Sequence, residues 1–279
     1  VMSVPSLPYF PMLQIEMAAQ WDDAQDTPEV MMEFMTKRMG LPAENRDLVV
    51  TEWENIVAAS RPLPDLKGRE CVFGIDYAST TDFVSAGLLF KNEGEYFWIK
   101  KTWVCKNSKD IPRIKAPLSA WNEQGFIEIV DAVEIHPTLV TDWLFRMSKD
   151  YKIIHGAMDG FRFTLLAKYL SEIGFEPGRD GNLKLTRGND IIKAQPVISS
   201  VFTNHNLAFG DDPEMRWAIN NAKKISYGRD KDIGNFTYGK QEPKSRKTDS
   251  FQAMVHAFTI EDLLDDNSFS GVSAPIITW

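Results

Sequence analysis

Three aspartates sit where oxygen-ligand chemistry could be built. Asp76 closes the apolar run Cys71-Val-Phe-Gly-Ile-Asp76, and Asp159 closes the run Lys152–Met158 just before a helical pattern. Asp249 falls in the first turn of the last helical pattern, whose Phe251, Met254, Val255 and Phe258 recur at i, i+3, i+4 and i+7. In an open α/β sheet, groups at strand carboxyl ends gather in one crevice. If the two strands are neighbours and the last helix packs across them, the three carboxylates converge. Clustered carboxylates repel one another unless a cation balances them. Hard divalent ions prefer such oxygens, and two ions ~3.5–4 Å apart can stabilise both the attacking water and the departing oxygen of a phosphodiester. The chemistry this favours is metal-dependent phosphodiester hydrolysis. Taken singly, each acid has a plainer reading: an Asp after a strand turns the chain or caps a helix, and Asp249 complements a helix dipole.

A phosphate-bearing substrate needs positive charge. The net charge is −8, but it is uneven. Residues 1–70 hold twelve acids and six bases (−6), whereas residues 223–247 hold eight bases and three acids (+5). Lys240, Lys244, Arg246 and Lys247 precede Asp249 most closely and are the expected DNA contacts, of the salt-dependent, sequence-independent kind. The alternative is a solvated surface hairpin, with Tyr227, Phe236 and Tyr238 as its packing. Cys71 and Cys105 are too few for a disulfide framework or a zinc site and read as buried, reduced thiols. His136, His155, His205 and His256 show no metal-ligand spacing and read as structural. No apolar run approaches the ~18–20 residues of a membrane span, and no basic-then-apolar leader is visible.

The elements that must position these residues form three blocks. Residues 1–68 read as a helical arm, with helices from Thr27-Pro28-Glu29 to about Met39 and over about Arg46–Ser60, ended by the stiff connector Arg61–Gly68. Residues 69–266 open with three strand patterns joined by short turns, an antiparallel meander. Helix and strand patterns then alternate, which implies parallel strands with helices on both faces. Lys223–Lys240 reads as a basic hairpin, the last helix as about Lys247–Leu264, and residues 267–279 as a tail. A meander followed by alternating α/β elements, with an acid at each of three key points, is a ribonuclease H-like order.

Gly74-Ile-Asp-Tyr-Ala-Ser-Thr-Thr-Asp82-Phe resembles the first nuclease motif of the large terminase subunit of tailed bacteriophages. Ala157-Met-Asp-Gly160 resembles its second acidic strand, and Tyr238–Ala253 its closing segment. Arg216–Ala222 and the Gly-Asn hairpin are also similar to that family, so the resemblance spans roughly residues 69–265. It implies an endonuclease that cuts double-stranded viral DNA during genome packaging in the cytoplasm of the infected bacterial host. Asp76, Asp159 and Asp249 would be its catalytic, metal-binding acids, Asp82 a supporting acid, and two Mg²⁺ or Mn²⁺ ions its cofactors. It also implies a portal protein, a small terminase subunit and an ATPase motor as partners, with no membrane. No GxxxxGK[ST] occurs in the chain, so the chain looks like the nuclease part alone, with residues 1–68 as the linker to the motor. A ribonuclease H-like recombinase or resolvase would use the same acids, and a non-catalytic DNA-binding assembly module would use them structurally.

Overall fold

The computed structural model describes residues 10–25, 34, 48–78, 83–227 and 235–266. The chain divides into two compact units, Val1–Val49 and Val50–Trp279. In the first, α1 (Pro11–Gln25) is a single helix, and the Trp21 and Phe34 rings meet edge-on at 5.4 Å. The helix expected from Thr27 to Met39 lies outside the described residues, apart from Phe34.

The second unit holds a seven-stranded mixed sheet in the order β4-β3-β2-β1-β5-β6, with β7 pairing on β3. Its strands are β1 (Glu70–Asp76), β2 (Val84–Asn92), β3 (Glu95–Cys105), β4 (Glu128–Val130), β5 (Lys152–Asp159), β6 (Leu183–Thr186) and β7 (Leu207–Ala208). β1, β2 and β3 pair antiparallel as the expected meander, while β5 runs parallel to β1 and β6 parallel to β5. This is the expected ribonuclease H-like mixed sheet. A separate hairpin, β8 (Ala222–Ser226) and β9 (Phe236–Lys240), forms the basic stretch; its tip lies outside the described residues.

Alternation along β1 sorts its side chains between two cores. Cys71, Phe73 and Ile75 join the core under α4 (Thr138–Met147) and α5 (Phe163–Glu172). Val72 joins the opposite core, with α2 (Trp53–Ala59), α6 (Gly188–Thr203), α7 (Pro213–Asn221) and α8 (Asp249–Phe258). A short helix, α3 (Leu118–Glu123), packs with Phe83 and Val104. Both cysteines are buried free thiols, and burial pushes that of Cys71 up.

The connector expected to separate the arm from the sheet is part of the larger unit. The Phe209 and Gly210 amides donate to the Ala59 and Arg61 carbonyls, and the Arg61 guanidinium donates to the Leu207 carbonyl at 2.7 Å. Residues 50–68 are thus stitched to β7 and the turn after it. The last helix is also shorter than expected. It ends at Phe258, where Thr259 and Ile260 turn into a 3-10 segment at Glu261–Leu263. Except for Gln252 its residues are buried all round, a helix threaded through the core rather than laid on it.

Candidate nuclease site

The pleat places two of the three acids. Past a bulge at Cys71/Val72, β1 and β5 run in register as Val72↔His155, Gly74↔Ala157 and Ile75↔Met158. One step further, Asp76 and Asp159 end neighbouring parallel strands. Asp76 shares its parity with Val72 and Gly74, and Asp159 shares its parity with Ala157, so both project toward the face that α8 covers. Gly74 lets α8 come close: a Cβ there would lie 1.9 Å from the Ala253 carbonyl oxygen and 2.7 Å from the Ala257 amide nitrogen. A helix backbone therefore rests directly on the strand backbone, and the first residue of that helix is Asp249.

Asp76, Asp159 and Asp249 line one cleft of ≈ 400 Å³, and Arg162, Arg187, Lys240, Tyr77, Thr186 and His256 contribute to its wall. Three carboxylates thus share the cleft with three fixed cations. Lys240, at the end of β9 and 20% exposed, lies 3.2 Å from the Asp249 carboxylate. The Asp159 carboxylate accepts the Phe161 amide at 3.0 Å, so the turn role open to it in the sequence is realised together with its place in the cleft. Tyr77 donates to the Ile135 carbonyl at 2.5 Å, and burial raises its hydroxyl to about 12, so it stays protonated.

His256 braces the floor of the cleft. The Thr186 hydroxyl donates to the Met158 carbonyl at 3.0 Å and contacts His256 Nδ1 at 2.7 Å. With its one proton on Met158, Thr186 accepts from Nδ1–H, and Nε2 is left without the proton. Burial lowers this imidazole to about 4 against the opposing pull of Asp159, so it is neutral at pH 7. Sequence spacing gave no sign of this role, and Arg162 and Arg187 were also missed. Their signal was position alone: Arg162 follows Asp159 by three residues, and Arg187 follows the end of β6.

The expected DNA contacts separate in space. Lys244 is exposed, and the Arg246 guanidinium donates to Gln241 Oε1 at 2.6 Å. Lys247 departs from expectation: it is fully buried, and its ammonium lies 2.6 Å from Asp110 and 3.3 Å from the Pro243 carbonyl. It ties the approach to α8 down to the turn after β3 and presents no charge to a phosphate. Asp82 lies outside the described residues.

A second set of charges supports Asp249 from behind. The Lys100 ammonium lies 2.6 Å from Glu214 and 2.9 Å from Asp212, and Ser250 donates to Glu214 at 2.7 Å. Burial pulls Lys100 down, but Glu214 and Asp212 outweigh it and hold the ammonium charged.

The oxygen-only carboxylate set suits a hard divalent cation in kind. In arrangement it is not a finished cage. Among the described residues, no three His, Cys, Asp or Glu side chains stand close enough together to hold a metal ion. Within the cleft, Lys240 compensates Asp249. No helix among the described residues is long and apolar enough to cross a membrane.

The family described as terminase large subunit, endonuclease domain, matches residues 1–262. Among solved structures, the large terminase of bacteriophage HK97 is similar over 88% of this chain and 50% of its own, with 15% identity and a TM-score of 0.65. The large terminase nuclease of thermophilic phage G20c is similar over 78% of this chain and 100% of its own, with 9% identity and a TM-score of 0.49. The same nuclease with bound magnesium gives 10% identity, 76% and 97% coverage and a TM-score of 0.46. The chain thus spans half the length of the HK97 protein. No curated protein matches it.

Proposed function

The chain belongs to the family of terminase large-subunit endonuclease domains, and from that premise we propose that it is a divalent-metal-dependent endonuclease that cuts double-stranded viral DNA during genome packaging. The observation that supports this most directly is one cleft lined by three carboxylates from the ends of two strands and the start of a distant helix, with three cations beside them.

Asp76, Asp159 and Asp249 would hold the ions. When bound, such ions supply an activated water and neutralise charge developing at the phosphate. The remaining tasks fall to the chain's own side chains. Arg162 and Arg187 are suited to hold the flanking phosphates, since a guanidinium is charged at every working pH and binds phosphate bidentately. Lys240 compensates Asp249 before loading and stands in the cleft to meet a phosphate once displaced. Neutral His256 fixes Thr186 and the Met158 carbonyl, which keeps the end of β5, and so Asp159, in place. Lys244 and Arg246 would track the backbone of the duplex, while Lys247 serves the fold. We assign the chain an ATPase motor, a portal protein and a small terminase subunit as partners, the cytoplasm of the infected host as location, and residues 1–49 a linking role.

The test is nicking of supercoiled plasmid in Mg²⁺ or Mn²⁺. Conversion to open circles that stops in excess EDTA and in Asp76→Asn is the expected result. Undiminished cutting in EDTA, or by Asp76→Asn, would overturn the assignment.

A further inference from the structure

Beside the cleft stands a side chain with no structural task. Phe161 is 81% exposed, although it follows Asp159 by only two residues. Its position is fixed by three successive amides: Gly160 donates to the Thr186 carbonyl, Phe161 to the Asp159 carboxylate and Arg162 to the Asp159 carbonyl. The turn that presents Asp159 to the cleft therefore also holds the ring in water at the cleft's edge. The Arg162 guanidinium lies 5.5 Å from the centroid of that ring while it lines the cleft. One turn further along α5, Thr164, Leu165 and Lys168 are exposed as well, with the Lys168 ammonium 3.7 Å from Glu172. A single exposed apolar residue needs no explanation. An aromatic ring backed by an arginine that lines the cleft, on a turn pinned by a site carboxylate, has the chemistry of a nucleic-acid contact: every base offers a π-face, and the adjoining phosphate requires a cation.

We propose that Phe161 stacks on a nucleobase beside the scissile phosphate, with Arg162 holding the adjoining phosphate, so that the rim of the cleft locally unstacks the duplex and aligns the strand to be cut. The inference rests on the nuclease reading above and adds to it a residue that positions the DNA. Apolar side chains inserted at a base step unstack and kink the helix, and pinning through Asp159 couples that distortion to the carboxylates. Unlike the phosphate contacts, this one favours base steps that are easily unstacked, such as TA and CA.

The experiment uses the full chain with 30-base-pair duplexes that carry 2-aminopurine at successive positions, bound in Ca²⁺ and cut in Mn²⁺. Wild-type protein should raise 2-aminopurine emission at one or two adjacent positions next to the cut. Phe161→Ala should abolish that rise and weaken duplex binding about tenfold, within the range seen when a stacking aromatic is removed. Phe161→Trp should restore both, Phe161→Leu should restore the emission as an apolar wedge but not the tenfold in binding that ring stacking supplies, and all three variants should melt with the wild type because the ring is exposed. If wild-type protein binds and cuts while Phe161→Ala gives the same emission and the same cleavage, the stacking role is overturned and the ring is left as a protein contact. Wild-type protein that neither binds nor cuts duplex in any divalent ion would overturn the nuclease reading itself, and this role with it.

Discussion

Two clusters of the same chemistry lie on either side of Asp249. In the cleft, Lys240 meets Asp249 at 3.2 Å, and the other carboxylates and arginines open to solvent. Behind it, Lys100 meets Glu214 and Asp212 at 2.6 and 2.9 Å, with the lysine 4% exposed and Glu214 fully buried. Both are acids paired with an ammonium, yet they serve different ends. The buried cluster is saturated by the protein: Lys100 also reaches Thr102 and the Phe126 carbonyl, and Ser250 caps Glu214. The cleft holds two strand-end acids side by side with one helix acid, and its arginines reach solvent. Charge enclosed by the protein fixes the start of α8, whereas charge in a solvent-open cleft is within reach of an incoming cation and phosphate.

Neutralising one member of each cluster separates the two. Asp76→Asn should lower plasmid cleavage by more than about 10³-fold, since ion-mediated stabilisation amounts to several kcal/mol. The same change should leave the melting temperature in EDTA near that of the wild type. Glu214→Ala should do the opposite. Removing one partner of a buried pair costs about 3–5 kcal/mol, read as a lower denaturation midpoint, while the fraction still folded keeps cutting. Lys247→Ala belongs with Glu214→Ala, because it removes the buried partner of Asp110 and leaves it the longer Arg113 contact at 3.5 Å. A Glu214→Ala protein with wild-type stability and no cleavage would erase the distinction.

The same contrast explains what could be read from the residues alone. Asp76, Asp159 and Asp249 were legible because strand ends and helix starts leave a local mark, an apolar run of period 2 or 3.6 that stops at an acid. The antiparallel meander and the two-faced sheet followed from the same patterns. The Lys100 cluster was not legible, since it joins β3 to the turn before α7, more than a hundred residues on. Nor could spacing separate Lys244 from Lys247: three residues apart in one basic stretch, they differ only through Asp110, which comes from the far side of β3. Residues 61–68 looked like a linker because of Pro62 and Pro64. Yet the Ala59 and Arg61 carbonyls accept from the Phe209 and Gly210 amides just after β7, a pairing that only the folded chain contains.

His256 lines the cleft and offers a graded test. Its folded value of about 4 is below the usual 6.5, so between these limits the unfolded chain binds more protons than the folded one. The stability its neutrality contributes is complete above pH 6.5 and is lost as pH falls toward 4, about 3 kcal/mol in all. Chemical denaturation in EDTA at pH 7, 6, 5 and 4 should therefore be steeper in pH for the wild type than for His256→Asn. Equal slopes would mean that the imidazole is not held neutral against Thr186.

The smallest effect is expected at Lys244, where the comparison between saturated and open charge is sharpest. An exposed lysine that meets a phosphate releases one condensed counterion on binding, so Lys244→Ala should reduce the slope of log K against log salt by about 0.9. Stability should move by no more than about 0.5 kcal/mol, as for surface changes generally. Fluorescence anisotropy on a 30-base-pair duplex between 50 and 200 mM salt measures the slope, and a slope unchanged from wild type would remove Lys244 from the DNA path. Lys247 lies three residues along the same chain and carries the same charge, but its ammonium is already committed to Asp110. It has no counterion to exchange, so a substitution there can alter the salt slope only by unfolding the protein that presents the other lysines.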